Sequence, residues 1–310
     1  MVDITAPRFK TEKAARKHLE AVRWPEGPIC PHCGSIDRTR RITGKSARPG
    51  LWFCADCRQQ FTVTVGTVFE RSKIPLHKWL LAVHLMSASK KGISAHQLHR
   101  MLGVTYKTAW FMAHRIREAM TEKNPGPIGG SGKTIEADET YQGPQGYTFS
   151  NESGWKVKMG KGDKRAIVAL VERGGEVRTF HVDKVNAKTL RTILVINTNR
   201  ASALMTDEFP AYHAAGQEFA SHGRVCHSAK EYVRGDAHTN TVEGYFSIFK
   251  RGMKGVYQHC GEQHLQRYLN EFQFRYNWRH VEDAERRDEA LKGIAGKRLT
   301  YRRTDQRAHI

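Results

Sequence analysis

The stretch AHTNTVEGYFSIFKRG, residues 237–252, decides how the rest of the chain is read. Wound at about 100° per residue, it splits into two arcs. Val242, Tyr245, Phe246 and Phe249, with Met253 beyond, share one side; Asn240, Glu243, Gly244, Ser247 and Lys250 share the other. An apolar arc of that width predicts a helix packed on the flank of a sheet. The opposite arc then presents an amide, a carboxylate and, seven residues past the carboxylate, an ammonium. These groups either face water or act on a ligand, and what accompanies them elsewhere decides between the two.

Two upstream runs supply further acids. TIEADETYQG (134–143) reads as a strand carrying Asp138, and LMTDEFPAYH (204–213) as another with Asp207 at its end; 35 residues separate Asp207 from Glu243. RAIVALVER (165–173) and VRTFHVDKV (177–185) also read as strands, and NAKTLRTILVINTN (186–199) as a helix. Strands, a helix, one more strand and then helices predict an α/β domain with a mixed sheet: a meander of three strands, joined in parallel by a fourth. A lone acid at a strand end is ordinarily a solvated cap. Two of them, with a spaced Glu on an amphipathic helix and a Lys seven residues later, predict a site for two Mg²⁺ (or Mn²⁺) ions. Such ions take hard oxygen ligands; one activates the attacking water or 3′-hydroxyl and the other stabilises the leaving oxygen of a phosphodiester. Asp138, Asp207 and Glu243 are the expected magnesium ligands, and Lys250 the point charge on a DNA phosphate. Asn240 rivals Glu243. Three carboxylates and one bridging phosphate balance two divalent ions, whereas Asn240 in place of Glu243 leaves a positive charge uncompensated, which favours Glu243. Asn240 then serves as auxiliary ligand or as donor to the phosphate.

CPHC (Cys30, Cys33) and CADC (Cys54, Cys57), 20 residues apart, have the spacing of a zinc ribbon. Four thiolates close a tetrahedron, so the expected Zn²⁺ is structural. GLWFCADCRQQFTVTVGTVF (50–69) suits the second hairpin of such a ribbon, while Cys226 and Cys260 read as single buried thiols.

GISAHQLHRMLGVTYKTAWFMAHRIREAM (92–120) has the form of a helix-turn-helix, with Gly103 at the turn and Thr105 as N-cap of the second helix. Its exposed positions are expected to include Tyr106, Lys107, His114, Arg115 and Arg117, a face that suits the major groove; the bland alternative is a helical hairpin with a wet basic side. WKVKMGKGDKRAIV (155–168) places Lys158, Lys161 and Lys164 in an expected hairpin loop, and Arg251 follows Lys250. FRYNWRH (274–280) suits either stacking on DNA or a core helix. With 51 Lys+Arg against 31 Asp+Glu, the net charge of +20 favours a polyanionic partner. No apolar run is long enough for a membrane span and no apolar leader opens the chain, so a cytoplasmic, nucleoid-associated protein is expected.

Together these motifs resemble the DDE transposases of bacterial insertion sequences, most closely the ISXO-like group with an N-terminal zinc ribbon. The resemblance spans roughly residues 15–280 and is carried by CPHC and CADC, ADETYQG, TDEFPAYH, HSAKEYVRGDAHTNTVEGYFSIFKRGMKGVYQH and HLQRYLNEFQFRYNWR. It implies an RNase H-like catalytic core, a divalent metal pair and action on the element's own terminal inverted repeats. The third acidic position of that group is Glu in some members and Asn in others, followed by Lys, so both candidates here remain open. The organisation expected is multidomain: a zinc-ribbon region over 1–70, a helical DNA-binding domain over 71–123, a Gly/Pro linker over 124–133, an RNase H-like core over 134–292 and a basic, fraying tail over 293–310. The expected activity is cleavage and strand transfer of double-stranded DNA, both element ends and target, by a homo-oligomer. A non-catalytic DNA-binding regulator and an RNase H-like nuclease are the rival readings.

Overall fold

The computed structural model describes residues 3–143, 147–150, 154–157, 164–229, 231 and 233–300. The chain divides into two compact units, one spanning Lys123–Arg279 and the other built from the residues before and after it.

The unit made from both ends begins with α1 (Glu12–Arg23), whose first turn is capped by the Thr11 hydroxyl accepting from the Ala14 amide. A small antiparallel sheet follows, with β1 (Thr39–Arg41), β2 (Trp52–Cys54) and β3 (Gln60–Phe61) in that order. Then come α2 (Leu76–Ala88), α3 (Ala95–Leu102) and α4 (Tyr106–Ala119). Gly103 ends α3 at φ 58°, a conformation costly for any residue with a Cβ, and Thr105 caps α4 by accepting from the Thr108 amide. Of the six apolar positions that the helix-turn-helix pattern turns inward, Ile93, Leu98, Leu102, Ala109 and Ile116 are buried and Val104 is half-buried. His114 and Arg117 are not on the wet face expected of them: they are 1% and 2% exposed. α4 packs against α2, against α3 and against a closing helix, so its buried surface is wider than a single stripe.

That closing helix, Asp283–Lys292, corrects the expected extent of the core to residue 292. Ala290, Leu291 and Ile294 are fully buried, Arg287 lies over the Phe9 ring at 5.7 Å, and Asp288 accepts from His18 at 2.9 Å. Of the tail expected to fray, residues 293–300 are bonded to this unit, and 301–310 lie outside the described residues. The Gly296 amide donates to Gly66 O at 2.8 Å, and Lys297 Nζ donates to Ala119 O at 3.1 Å.

The second unit contains β4 (Ile128–Gly129), β5 (Thr134–Gln142), the hairpin of β6 (Tyr147–Ser150) and β7 (Gly154–Val157), β8 (Arg165–Glu172), β9 (Val177–Val182), α5 (Ala187–Asn197), β10 (Thr198–Asn199), β11 (Ala203–Thr206), α6 (His213–Gly216), β12 (Ser221–Arg224), α7 (Asn240–Gly252) and α8 (Leu265–Asn277). Its main sheet has the order β12-β11-β5-β8-β9. β5, β8 and β9 form the expected antiparallel meander, and β11 joins β5 in parallel after α5, with β12 added outside it. Alternate residues of the central strands feed two cores. Ile135, Ala137, Val168 and Leu170 pack with Leu190 and Leu194 of α5; Ile167, Ala169 and Val171 pack with α7 and with Leu265, Leu269 and Phe272 of α8.

The expected linker, 124–133, belongs to this unit, where β4 pairs in parallel with β10. Gly129 is held at φ 92°, and a Cβ there would stand 2.2 Å from Ser202 Oγ, which accepts from the Gly130 amide. FRYNWRH resolves as core rather than as a stacking face: Phe274 and Arg275 are buried, and Arg279 lies over Tyr276 while donating to Gly175 O. Cys226 and Cys260 are half-exposed, not buried. Among the described residues no helix is long and apolar enough to cross a membrane.

Candidate active site and metal centre

The two arcs of α7 fall as its sequence requires. Val242, Tyr245, Phe246, Phe249 and Met253 are buried, and Asn240, Glu243, Gly244, Ser247 and Lys250 are exposed. What fixes the start of the helix is a residue that sequence reasoning passed over. Glu136 of β5 is fully buried, and its carboxylate accepts from the backbone amides of Thr241 and Val242 at 2.8 and 2.9 Å and from the Thr241 hydroxyl at 2.9 Å. Arg173 Nε donates to it at 2.7 Å, and His238 Nδ1 stands 3.2 Å away. A carboxylate at a helix N-terminus satisfies amides that no intrahelical carbonyl can reach and meets the positive end of the dipole. The Thr239 cap makes no side-chain hydrogen bond of its own to those amides, so Glu136 takes that role from the sheet. The detectable signal was an acid set in a strand two residues before Asp138, and therefore on the same face.

Asp138 thus lies on the face that carries α7, opposite Ala169 of β8. β11 runs beside β5 with Met205 level with Glu136, and continuing that parallel register two residues brings Asp207 beside Asp138. Asp207 accepts from the Phe209 amide at 3.0 Å. Glu243, in the first turn of α7, accepts from Thr239 Oγ1 at 2.9 Å and has His227 Nε2 at 3.6 Å. Burial, followed by the negative charges of Glu139, Asp207 and Glu243, pushes the Asp138 carboxyl up to about 7. Burial also raises Asp207, against the pull of the Phe209 amide and of His227. The three acids therefore share one field. His227 stands by Asp207 and Glu243 on a turn whose amides, those of His227 and Ser228, both donate to Glu208. A buried carboxyl among other carboxylates is stabilised in its charged form by a cation, and the donors are all hard oxygen, so the residues fit an oxygen-seeking divalent ion. Among the described residues their oxygens are not all gathered within the 4.8 Å that the zinc-type cluster satisfies. A pair of ions about 3.5–4 Å apart spreads its ligands more widely than one.

Asn240 is exposed in the same first turn of α7 as Glu243, and Lys250 is exposed in its last. Arg251 donates back to Ser247 O at 3.1 Å. Tyr106 is exposed and stacks on His96 at 4.3 Å, and Lys107 beside it is exposed. Arg115 is turned onto its own unit, donating to Leu299 O and Glu70 O at 3.3 Å each. Lys164 is half-buried just ahead of β8, while Lys158 and Lys161 lie outside the described residues.

The second centre is the cysteine cluster. Sγ atoms of Cys30, Cys33, Cys54 and Cys57 all lie within 4.8 Å of one another, with Cys30–Cys57 and Cys33–Cys54 at 3.6 Å. A zinc ion at about 2.3 Å from four sulfurs gives S···S edges of about 3.8 Å, so the set fits a closed tetrahedral site. Cys54 closes β2, and Cys30 lies in the loop after α1, so one ion held there would tie the small sheet to the loop. Chelating the metal, or replacing Cys54 by Ser, is expected to unfold β1–β3, since a structural zinc supplies on the order of 10 kcal/mol to a segment this small. Limited proteolysis between residues 28 and 62 reads this directly; protection that survives chelation refutes a metal-dependent fold.

Two family models match the chain: a transposase zinc-ribbon domain over residues 10–60 and an ISXO2-like transposase domain over residues 129–277. The chain is 30% identical over 278 residues to a protein described as an uncharacterized protein in transposable element ISH50 of Halobacterium salinarum, covering 86% of this chain and 91% of that one. Among solved structures, the Mos1 transposase paired-end complex with left transposon end aligns at 13% identity and TM-score 0.29, over 69% of this chain and 74% of that one. The mariner Mos1 paired end complex with Mg aligns at 14% identity and TM-score 0.29, over 94% and 95%.

Proposed function

Because the chain belongs to the ISXO2-like transposases, we propose that it is a DNA transposase: it nicks the terminal inverted repeats of its element and joins the freed 3′-hydroxyls to target DNA. The observation that carries this reading is the convergence at Asp138, where burial, and then the charges of acids on two parallel strands and at the start of α7, push one carboxyl up to about 7. The strand order, three antiparallel strands followed by two parallel ones, fits an RNase H-like core.

Divalent ions bound there would activate the attacking oxygen and stabilise the leaving one. Asp138, Asp207 and Glu243 would hold them, with Asn240 as auxiliary ligand or as donor to the scissile phosphate. Glu136 keeps Glu243 in place through the amides of α7, and Lys250 takes a phosphate further along the strand. In the first step water adds to phosphorus and the P–O3′ bond breaks, freeing a 3′-hydroxyl. In the second that hydroxyl attacks a target phosphodiester and displaces another O3′, so each bond formed replaces one broken. No covalent enzyme intermediate is needed. Two element ends must be held together for joining, which calls for a homo-oligomer on DNA. The zinc ribbon and the α3–α4 pair, with Tyr106 and Lys107 exposed, are the proposed end-binding elements.

Incubating the protein with labelled terminal-repeat DNA, Mg²⁺ and a target plasmid tests this. Nicked and joined products are expected; nicking without joining marks a nuclease, and binding without either marks a regulator. Glu243→Gln is expected to slow nicking by roughly 10²-fold and Asn240→Ala by about tenfold, as direct and auxiliary ligands should. The reverse ranking would give the ligand role to Asn240.

A further inference from the structure

At the C-terminal end of α7 the chain makes one wide turn, Met253–Tyr257, and then places Gln258 at φ 59°, ψ −50°. Wide turns and positive-φ residues other than glycine are uncommon, and both concentrate at functional sites. Buried Met253 anchors the turn, and the Gln258 amide donates to its carbonyl at 2.7 Å. The result is a cavity of about 410 Å³ between the turn and the end of the β5–β8 ladder. Arg165, Lys250, Lys254, Gln142, Gln258 and His259 line it.

Its electrostatics are one-sided. Lys250 and Lys254 are exposed and have no carboxylate partner among the described residues. Arg165 reaches one acid, Glu262, at 3.4 Å, but that carboxylate is largely solvated, and Arg165 Nε has no hydrogen-bond acceptor. Three cations and two amides thus face the cavity, and none of its described lining residues is an acid. Such a set suits an anion with several oxygens.

Position identifies which anion. α7 carries Glu243 at its start and Lys250 seven residues on, about 10 Å along the axis. β5 carries Asp138 and, four residues on, Gln142, about 13 Å away. Both elements lead from the acids to this cavity. At about 3.4 Å of rise per nucleotide, that span is about three steps of one DNA strand.

We propose that this cavity is a subsite for a backbone phosphate of the DNA strand being cut, about three nucleotides from the reacting phosphodiester, held by Arg165, Lys254 and His259 together with Lys250. The inference rests on the transposase reading and adds to it a fixed register of the strand along α7. It separates two tasks on one helix: metal and scissile phosphate at its start, strand tracking at its end.

The test is a phosphate scan on the full chain without divalent metal. Terminal-repeat duplexes each carry one neutral methylphosphonate, and their affinities are measured for the wild type, Lys254→Ala, Arg165→Ala and Lys188→Ala, the last an exposed lysine on α5 that serves as charge control. Neutralising the phosphate about three steps from the nick is expected to weaken wild-type binding by about tenfold. Lys254→Ala should bind unmodified DNA about tenfold less tightly, lose its sensitivity to that one methylphosphonate, and reduce the slope of log K against log salt by about 0.9. Lys188→Ala should match the wild type. Full sensitivity retained in both Lys254→Ala and Arg165→Ala, or losses no greater than those of Lys188→Ala, overturns the subsite. Nicking is scored separately with Mg²⁺: its absence in the wild type overturns the transposase reading, while the binding arm still judges the cavity.

Discussion

Asp138→Asn is expected to stop DNA nicking while making the metal-free protein more stable at neutral and alkaline pH. Nicking should fall by roughly 10³-fold or more, because an amide at this position surrenders the central charge of the cation site. Stability moves the other way for a reason visible in the fold. The Asp138 carboxyl is raised from 3.8 to about 7 by burial and by its acidic neighbours. The native state therefore binds a proton that the unfolded chain has already lost between those two values. Its contribution to stability is fully present below 3.8 and is lost as pH rises through about 7. Asn carries no such charge, so in chelator the melting temperature of the variant should exceed that of the wild type at pH 8 and approach it at pH 4. Added Mg²⁺ should raise the wild type at pH 8 and leave the variant nearly unmoved. Equal melting curves across this range, or nicking by Asp138→Asn near the wild-type rate, would remove Asp138 from the centre of the site.

The second large effect concerns the helix start. Glu136→Ala should cost about 3–5 kcal/mol, because it removes from a fully buried position the one carboxylate that Arg173 Nε and the Thr241 and Val242 amides share. Urea titration should show a lower midpoint with an unchanged slope. Nicking should be lost as well, since Glu243 sits in the turn that Glu136 holds. Glu136→Gln keeps an acceptor oxygen for the helix amides but not the charge for Arg173, and should recover part of both losses. A Glu136→Ala midpoint equal to that of the wild type would mean that α7 is seated by its apolar arc alone.

The site was legible where local periodicity sets burial. The arcs of α7, the cysteine spacing, the Gly103–Thr105 turn and the meander followed by a parallel strand all follow from patterns a few residues long. What escaped depends on elements that meet from far apart. An acid in a strand looks like a solvated one until a helix from 105 residues away lowers its amides onto it, as happens at Glu136. His114 and Arg117 look wet until α2 and the closing helix cover α4. β12, Ser221–Arg224, has no apolar alternation and forms because β11 offers it an open edge. His227 was one histidine among 16, and only the fold sets it between Asp207 and Glu243.

The helix Asp283–Lys292 also orders events in time. The unit that carries the cysteine cluster is completed by residues translated after all of Lys123–Arg279. At ribosomal speeds that interval is on the order of 10 s. Through it, α1 and α2 wait without the helix that supplies Arg287, Ala290 and Leu291 to their core. A chain that stops before residue 283 would carry all three acids of the candidate site yet leave its first unit permanently open. Translation through this closing helix is thus built into the fold as a condition for a closed first unit.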